Sequence, residues 1–301
     1  MMRKKALITG GTGFIGRNLI SHLERSSFDV WIKSRNPEQY KEEFFFRSTN
    51  LCSSLEEVPE VDLVINLCGE NLANKRWTVN QKRKIYQSRI DQTNELVEWM
   101  ATSEVRPKAF ISGSAIGFYG DRKDEIITES SQAGKNEFQV KLCQKWEQAA
   151  QKAEELGIRS CYIRTGVVLG DDGALPKMLT PFKFGVGGKL GTGNQWFSWI
   201  HIQDQVRGIM HLVNNEALSG VFNLTSPNPV TNKQLTDDIA NKLSKKAPFT
   251  VPGFALKLAV GQFSDLLLTG QKVIPQALQD SGFEFKFPTL TEALNDLVNS
   301  R

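Results

Sequence analysis

Residues 9–16, Thr9-Gly10-Gly11-Thr12-Gly13-Phe14-Ile15-Gly16, follow a short apolar run at residues 5–9 and precede a segment of helical period. Gly11, Gly13 and Gly16 satisfy G-x-G-x-x-G, and Gly10 adds a G-x-x-G-x-x-G register. In a strand–turn–helix context each glycine serves a distinct steric purpose. One makes the tight turn, one lets the backbone approach a pyrophosphate, and one lets the helix pack closely on the sheet. A helix beginning at Phe14 aims its free N–H groups and positive dipole end at those phosphates. A chain that starts this way is committed to a parallel α/β sheet with a dinucleotide at the carboxyl ends of its strands.

The rest of the chain keeps that commitment for about half its length. Runs rich in β-branched and aromatic residues at 5–9, 30–33, 44–46, 62–68, 108–112, 159–164 and 221–224 alternate with helical patterns near 14–26, 79–103, 138–156 and 203–215. The expected fold is α/β, a doubly wound parallel Rossmann sheet with a smaller, mostly helical C-terminal lobe. Glycines concentrate at Gly185, Gly187, Gly188, Gly191 and Gly193, and prolines punctuate the chain after Thr231. The domain reading is therefore residues 1–168 and 219–226 for the nucleotide-binding sheet, 169–218 for an interleaved loop and helix excursion, and 227–301 for the small substrate lobe.

With 301 residues, 40% of them hydrophobic, the chain can bury a large core. Its formal net charge is +4, and no run of five or more basic residues occurs, so no nucleic-acid partner is expected. Cys52, Cys68, Cys143 and Cys161 have no C-x-x-C spacing, which argues for a reducing compartment and against a metal site. The most apolar late stretch, residues 252–268, is interrupted by Lys257 and Asp265 and reads as packing, not as a membrane span. Structure beginning by Lys5 leaves no room for a leader before it. These features together predict a cytoplasmic protein with neither membrane nor nucleic-acid partner.

The second strand identifies the dinucleotide. NAD-specific folds carry an Asp or Glu about 20 residues after the glycines to bind the ribose 2′-hydroxyl. Here the strand ends in Lys33-Ser34-Arg35, with no acid. A carboxylate would repel a 2′-phosphate, whereas an Arg fork and a Ser hydroxyl bind one. NADP(H) is the expected cofactor; the other reading of Arg35 is an ordinary exposed loop residue.

The glycine turn, Asn66-Leu67-Cys68-Gly69-Glu70-Asn71 and Trp199-Ile200-His201-Ile202-Gln203-Asp204 together resemble the extended short-chain dehydrogenase/reductases. Gly69-Glu70 with Arg76-Trp77, the run from Arg164 to Gly170, the run from Phe182 to Gly193, and Gly270 to Pro275 narrow the resemblance to the NAD-dependent, nucleoside-diphosphate-sugar epimerase-like subfamily with a small C-terminal domain. The resemblance spans nearly the whole chain. It implies cofactor contacts from Gly10, Gly13, Phe14, Ile15, Gly16, Ser34 and Arg35, and from the loop Leu67, Cys68, Gly69 and Glu70. Arg89 has two readings, a phosphate or ribose contact or a solvated helix charge.

Superfamily chemistry uses a Ser or Thr after the fifth strand and a Tyr-x-x-x-Lys on the next helix, the Lys lowering the Tyr pKa and holding the nicotinamide ribose. Ser114 fits the first role, in catalysis, and Lys141 the last, in catalysis and in cofactor binding. The Tyr position four residues earlier is Glu137. The literal Tyr119-x-x-x-Lys123 runs through a Gly120-Asp121 turn, where the two side chains would not share a helical face. Glu70, Glu137 and His201 are alternative acid–base groups, with His201 read first as structural; His22 and His211 read as solvated or packed. Trp77, Trp196 and Trp199 read equally as pocket lining or packed core. Two functions follow: an oxidoreductase or epimerase acting on a small carbonyl, carbinol or nucleotide-sugar substrate, or a non-catalytic NADPH-binding regulatory protein. The sequence leaves the oligomeric state open; the resemblance implies one homodimer contact, through the helices at 79–103 and 138–156.

Overall fold

The computed structural model describes residues 3–44, 47 and 49–299, with only the backbone of Asn299. Seven strands form its central sheet: β1 (Lys4–Thr9), β2 (Phe28–Lys33), β3 (Thr49–Cys52), β4 (Leu63–Asn66), β5 (Ala109–Ala115), β6 (Arg159–Thr165) and β7 (Gly220–Leu224). They are all parallel, in the order β7-β6-β5-β4-β1-β2-β3. The chain reverses its direction of winding between β1 and β4, so a crevice opens at their carboxyl ends, where open α/β sheets bind ligands. Register fixes the neighbours there: Thr9 lies beside Lys33 and Asn66, Asn66 beside Ser112, and Ser114 beside Arg164.

Two apolar layers sandwich the sheet because strands buried on both faces read as continuous hydrophobic runs. Helices α1 (Phe14–Arg25), α2 (Val79–Gln87), α3 (Ile90–Thr102), α4 (Phe138–Gln151), α5 (Ala174–Lys183), α6 (Ile202–Asn214), α7 (Asn232–Lys242), α8 (Gly253–Val260) and α9 (Leu290–Asn299) complete the fold. Leu19, Ile20 and Leu23 of α1 and Val206 and Ile209 of α6 close one face over Ile8, Ile65 and Ile111. Leu96 and Met100 of α3 and Ala150 of α4 close the other over Leu7, Val64 and Phe110. A separate core joins Leu175, Leu179, Trp199, Leu235, Ile239, Phe287 and Leu294, and it belongs to the late, glycine- and proline-punctuated part of the chain. Helix α6 sits in sequence between these later elements, yet it packs on the main sheet.

Asp204 fastens the late lobe to that helix. Its buried carboxylate accepts from the backbone N–H groups of Lys286 and Phe287 at 2.9 and 2.8 Å and pairs with Arg207. His201 caps α6, Nδ1 accepting from Gln203 N at 3.0 Å, while Nε2 faces Asp296 and the ring stacks on Phe287. Gly270 is required by contact: a Cβ there would lie 2.0 Å from the Trp196 carbonyl.

Two sequence expectations shift. The third strand is Thr49–Cys52 and not 44–46; Phe44 ends a short helix, Lys41–Phe44, and Phe45 and Phe46 lie outside the described residues. A short aromatic run carries no periodicity that separates strand from buried helix. The expected helix at 79–103 breaks into α2 and α3 at Ser88-Arg89, where the Ser88 hydroxyl accepts from Glu70 N and Arg89 turns inward. Among the described residues no helix is long and apolar enough to cross a membrane, and no cluster of three His, Cys, Asp or Glu is placed to hold a metal.

Candidate active site

At the crevice the glycines do what their positions require. Gly10 has φ +72°, and a Cβ on it would lie 2.6 Å from the Leu67 carbonyl, so the turn and the loop after β4 touch backbone to backbone. A Cβ on Gly16 would lie 2.5 Å from Gly10 O and 2.6 Å from Gly11 Cα, so helix and turn close only with glycine. Gly13 is the N-cap of α1 and offers no side-chain cap, which leaves the helix start open to an external anion. Phe14 turns away, its ring against Gly170 and Gly173, and Ile15 packs on the sheet core. Ser34 and the exposed Arg35 follow β2 beside this turn; Ser34 Oγ accepts from Asn36 N. This backbone cradle fits a dinucleotide pyrophosphate.

Under the cradle runs a polar seam between β1, β4 and α3. Thr9 Oγ1 donates to Asn66 Oδ1 at 2.7 Å, and Asn66 Nδ2 and Trp146 Nε1 both donate to Thr93 Oγ1, at 2.8 and 3.1 Å. Cys68 Sγ lies 2.9 Å from Asn66 Oδ1. Arg89 lies against Gly69, where a Cβ would meet its guanidinium at 2.7 Å; it donates to Glu70 O at 3.1 Å and stacks on Trp146 at 5.2 Å. Burial lowers its pKa from the usual arginine value. Arg89 is thus a half-buried prop for the Leu67–Glu70 loop, and not a solvated helix charge. Glu70 accepts from Gln81 Nε2.

Ser114 belongs to a second buried network. Its hydroxyl donates to Glu147 Oε1 at 2.6 Å; Arg164 holds the same carboxylate through Nε and Nη2, each at 2.8 Å. Arg164 Nη1 donates to Tyr119 OH at 3.0 Å, and Tyr119 OH donates to Asn223 Oδ1 at 2.7 Å. Asn223 Nδ2 reaches the Ile274 carbonyl, and its N–H reaches Glu129 Oε1. The phenol of Tyr119, 0% exposed and with its pKa raised by burial, is a structural link between the main sheet and the late lobe.

The helix face that meets the end of β5 carries Gln139, Cys143 and Glu147, at i, i+4 and i+8. Gln139 and Cys143 lie close to Gly117, where an added Cβ would meet Gln139 Cβ at 3.3 Å and Cys143 Sγ at 3.7 Å. Lys141 lies on the exposed side of α4, about 200° around the helix from Gln139. Glu137 is the N-cap, near Gly120, with Oε2 buried and without a hydrogen-bond partner. Cys143 is a thiol pushed up to about 12, chiefly by burial and further by Glu147. Gln139 and Cys143 are not among the sequence candidates; counting back from the buried Trp146 would have found them, since both share its face.

The late lobe meets the segment after β4 through aromatic and polar contacts. Trp77 is buried edge-on against Phe138 and Phe263, at 5.2 and 5.9 Å. Arg76 donates to the carbonyls of Leu258 and Ala259 at the end of α8, and Lys177 Nζ reaches Asn74 Oδ1 at 3.4 Å. Trp199 is fully buried, and the half-buried Trp196 donates to Asp124. His22 and His211 lie on α1 and α6, His211 Nε2 meeting Ser281 Oγ.

Residues 6–225 match the NAD dependent epimerase/dehydratase family, and residues 251–297 match a domain of unknown function, DUF1731. The chain belongs to the NAD-dependent epimerase/dehydratase family. Within that family it is 38% identical over 297 residues to the epimerase family protein YfhF of Bacillus subtilis, covering 98% of both chains. It superposes on the human epimerase family protein SDR39U1 (isoform 2), crystallised with NADPH, with a TM-score of 0.89 and 30% identity, covering 99% of this chain and 100% of that one. A nucleoside-diphosphate sugar epimerase from Corynebacterium glutamicum gives a TM-score of 0.78 and 31% identity over 98% of this chain and 58% of that one.

Proposed function

We propose that this family member binds NADP(H) and exchanges a hydride with a small carbonyl, carbinol or nucleotide-sugar substrate under the late lobe. The observation that carries the cofactor reading is the end of β2: Ser34 and an exposed Arg35 stand beside the glycine cradle, with no carboxylate in the position that would select a free ribose 2′-hydroxyl. A relative of matching length and fold is crystallised with NADPH, which supports the same reading. Gly10, Gly13, Ile15 and Gly16 would line the pyrophosphate, Leu67 to Glu70 would pass beside the ribose, and NADP(H) when bound supplies or accepts the hydride. Ser114 is the hydroxyl at the end of β5; its part in proton handling requires that Glu147 release it, and the part of Lys141 requires that its side chain reach back from the exposed side of α4.

A second reading has its own observation. Where the superfamily places a phenol and an ammonium, the face turned to β5 carries the carboxamide of Gln139 and the protonated thiol of Cys143, neither a proton donor at neutral pH. That supports a protein that keeps the dinucleotide and lacks turnover, reporting cofactor state to a partner. Along the expected dimer helices at 79–103 and 138–156 the exposed side chains are mixed: Asp91, Glu98, Lys141, Lys145 and Gln148 on α3 and α4, and the apolar Val79 and Tyr86 on α2. Sedimentation decides whether two copies pair along those helices.

Fluorescence titration of NADPH against NADH, with Arg35→Ala alongside, tests the cofactor. The expected result is tighter NADPH binding in the wild type and a loss of that preference in the variant; equal affinities unchanged by Arg35→Ala would sink it. Single-turnover oxidation of bound NADPH over carbonyl compounds and nucleotide sugars tests catalysis. Turnover that survives both Ser114→Ala and Lys141→Ala removes those roles, and silence across the panel favours the regulatory reading.

A further inference from the structure

Three segments of the chain contain no Asp or Glu: residues 71–90, 173–203 and 239–264. They hold 13 of the 37 Lys and Arg, leaving 24 basic side chains to accompany all 33 acidic ones in the rest of the chain. The modest formal charge therefore hides a pronounced separation, one that no single stretch of sequence displays.

The fold brings the three segments together. Gly188–Leu190 pairs in parallel with Phe249–Val251, Lys177 reaches Asn74, and Arg76 holds the last carbonyls of α8. The same segments carry seven of the nine large hydrophobic side chains that are exposed among the described residues, including Phe184, Val186, Phe249, Phe254 and Leu258. Helix α8, with the sequence Gly-Phe-Ala-Leu-Lys-Leu-Ala-Val, buries none of its residues. Phe254 and Leu258, four apart and so on one side of it, are 76% and 78% exposed. Exposed apolar side chains gathered on segments that the fold draws together mark a candidate interaction site.

We propose that this face docks on the surface of an anionic phospholipid bilayer, with no segment crossing it. Charge complementarity selects the occupant. Lysines set among exposed Phe, Leu and Val match an interface in which apolar side chains enter the acyl boundary while ammonium groups stay with anionic headgroups. A second copy is disfavoured, because an isologous contact would set these acid-free segments against themselves, lysine facing lysine. A nucleic acid would leave the aliphatic members of the patch, Leu258 and Val186, without base or phosphate partners. The sequence predicts no membrane partner because its most apolar late stretch is interrupted by Lys257 and Asp265 and does not span; surface docking needs no spanning segment.

Flotation of the full chain with vesicles of phosphatidylcholine alone, or containing about 30% phosphatidylglycerol, tests this at about 50 and about 500 mM salt. The expected result is at least about tenfold more protein with the anionic vesicles at low salt, lost at high salt. Phe254→Ser with Leu258→Ser, and Lys245→Glu with Lys246→Glu, should each lower recovery at least about fivefold, whereas Lys145→Glu on the outer side of α4 should not. NADPH titration of each variant shows that it is folded. Absence of recovery with anionic vesicles, or recovery that ignores the variants, overturns the proposal. Self-association of the free chain that these variants abolish would also overturn it, assigning the face to a second copy.

Discussion

Arg164 and Glu147 meet through two parallel hydrogen bonds, Nε to Oε1 and Nη2 to Oε2, each 2.8 Å long, with both side chains only 5% exposed. A pair so deeply placed is far more costly to break than to replace, because removing one partner strands the other charge away from water. Arg164→Met should lower stability by about 3–5 kcal/mol, and Arg164→Met with Glu147→Leu should recover much of it. Ser114→Ala, which removes one donor to the same carboxylate, should cost about 1–3 kcal/mol. Urea unfolding of the four proteins measures this; a double variant no more stable than Arg164→Met alone would show that the pair contributes more than mutual compensation.

Gly16 faces Gly10 O and Gly11 Cα at distances that exclude any side chain. Gly16→Ala should push α1 off the turn and weaken NADPH binding more than about tenfold while the sheet still folds, since the strain is local to the cradle. Titration of NADPH fluorescence together with circular dichroism separates the two effects. Native affinity in Gly16→Ala would show that the dinucleotide does not lie on this turn.

His201 gives the chain an acid-side dependence. Burial lowers its pKa from the usual 6.5, outweighing the attraction of Asp296 and Asp204, and its Nδ1 is already an acceptor in the cap of α6. The unfolded chain therefore takes up a proton near pH 6.5 that the folded chain refuses. Stability from this group is fully present above about pH 6.5 and declines as pH falls toward the lower folded value. Thermal unfolding between about pH 8 and about pH 5 should show that decline, shallower in His201→Asn. An unchanged slope in the variant would place the dependence elsewhere.

Cys52, Cys143 and Cys161 are buried, and burial raises their pKa values to about 11, about 12 and about 11. A thiol held protonated and out of reach is inert toward disulfide exchange. Reaction with Ellman's reagent at about pH 8 should leave these three thiols silent in the native protein and release them in guanidinium. Rapid native labelling of Cys143 would make it a reactive group at the end of β5.

The glycine turn, the alternation of strand and helix and the missing acid after β2 were legible in the sequence because each is local: a steric demand, a periodicity, a charge at a known distance. The seam beneath them was not, since Thr9, Asn66, Thr93 and Trp146 meet only after four elements pack.

Helix α4 shows why the face turned to β5 was harder still to read. Each residue turns the chain by about 100°, so the two-residue difference between Glu137–Lys141 and Gln139–Cys143 swings the assigned pair to the opposite side of the helix. The sequence determined that a helix follows β5; only the packing of Trp146 and Glu147 against the sheet decided which side of it faces the cofactor crevice. The basic and apolar face has the same origin. Its three segments lie far apart along the chain, and their likeness of charge became a single surface only when strand pairing and the Arg76 contacts drew them together.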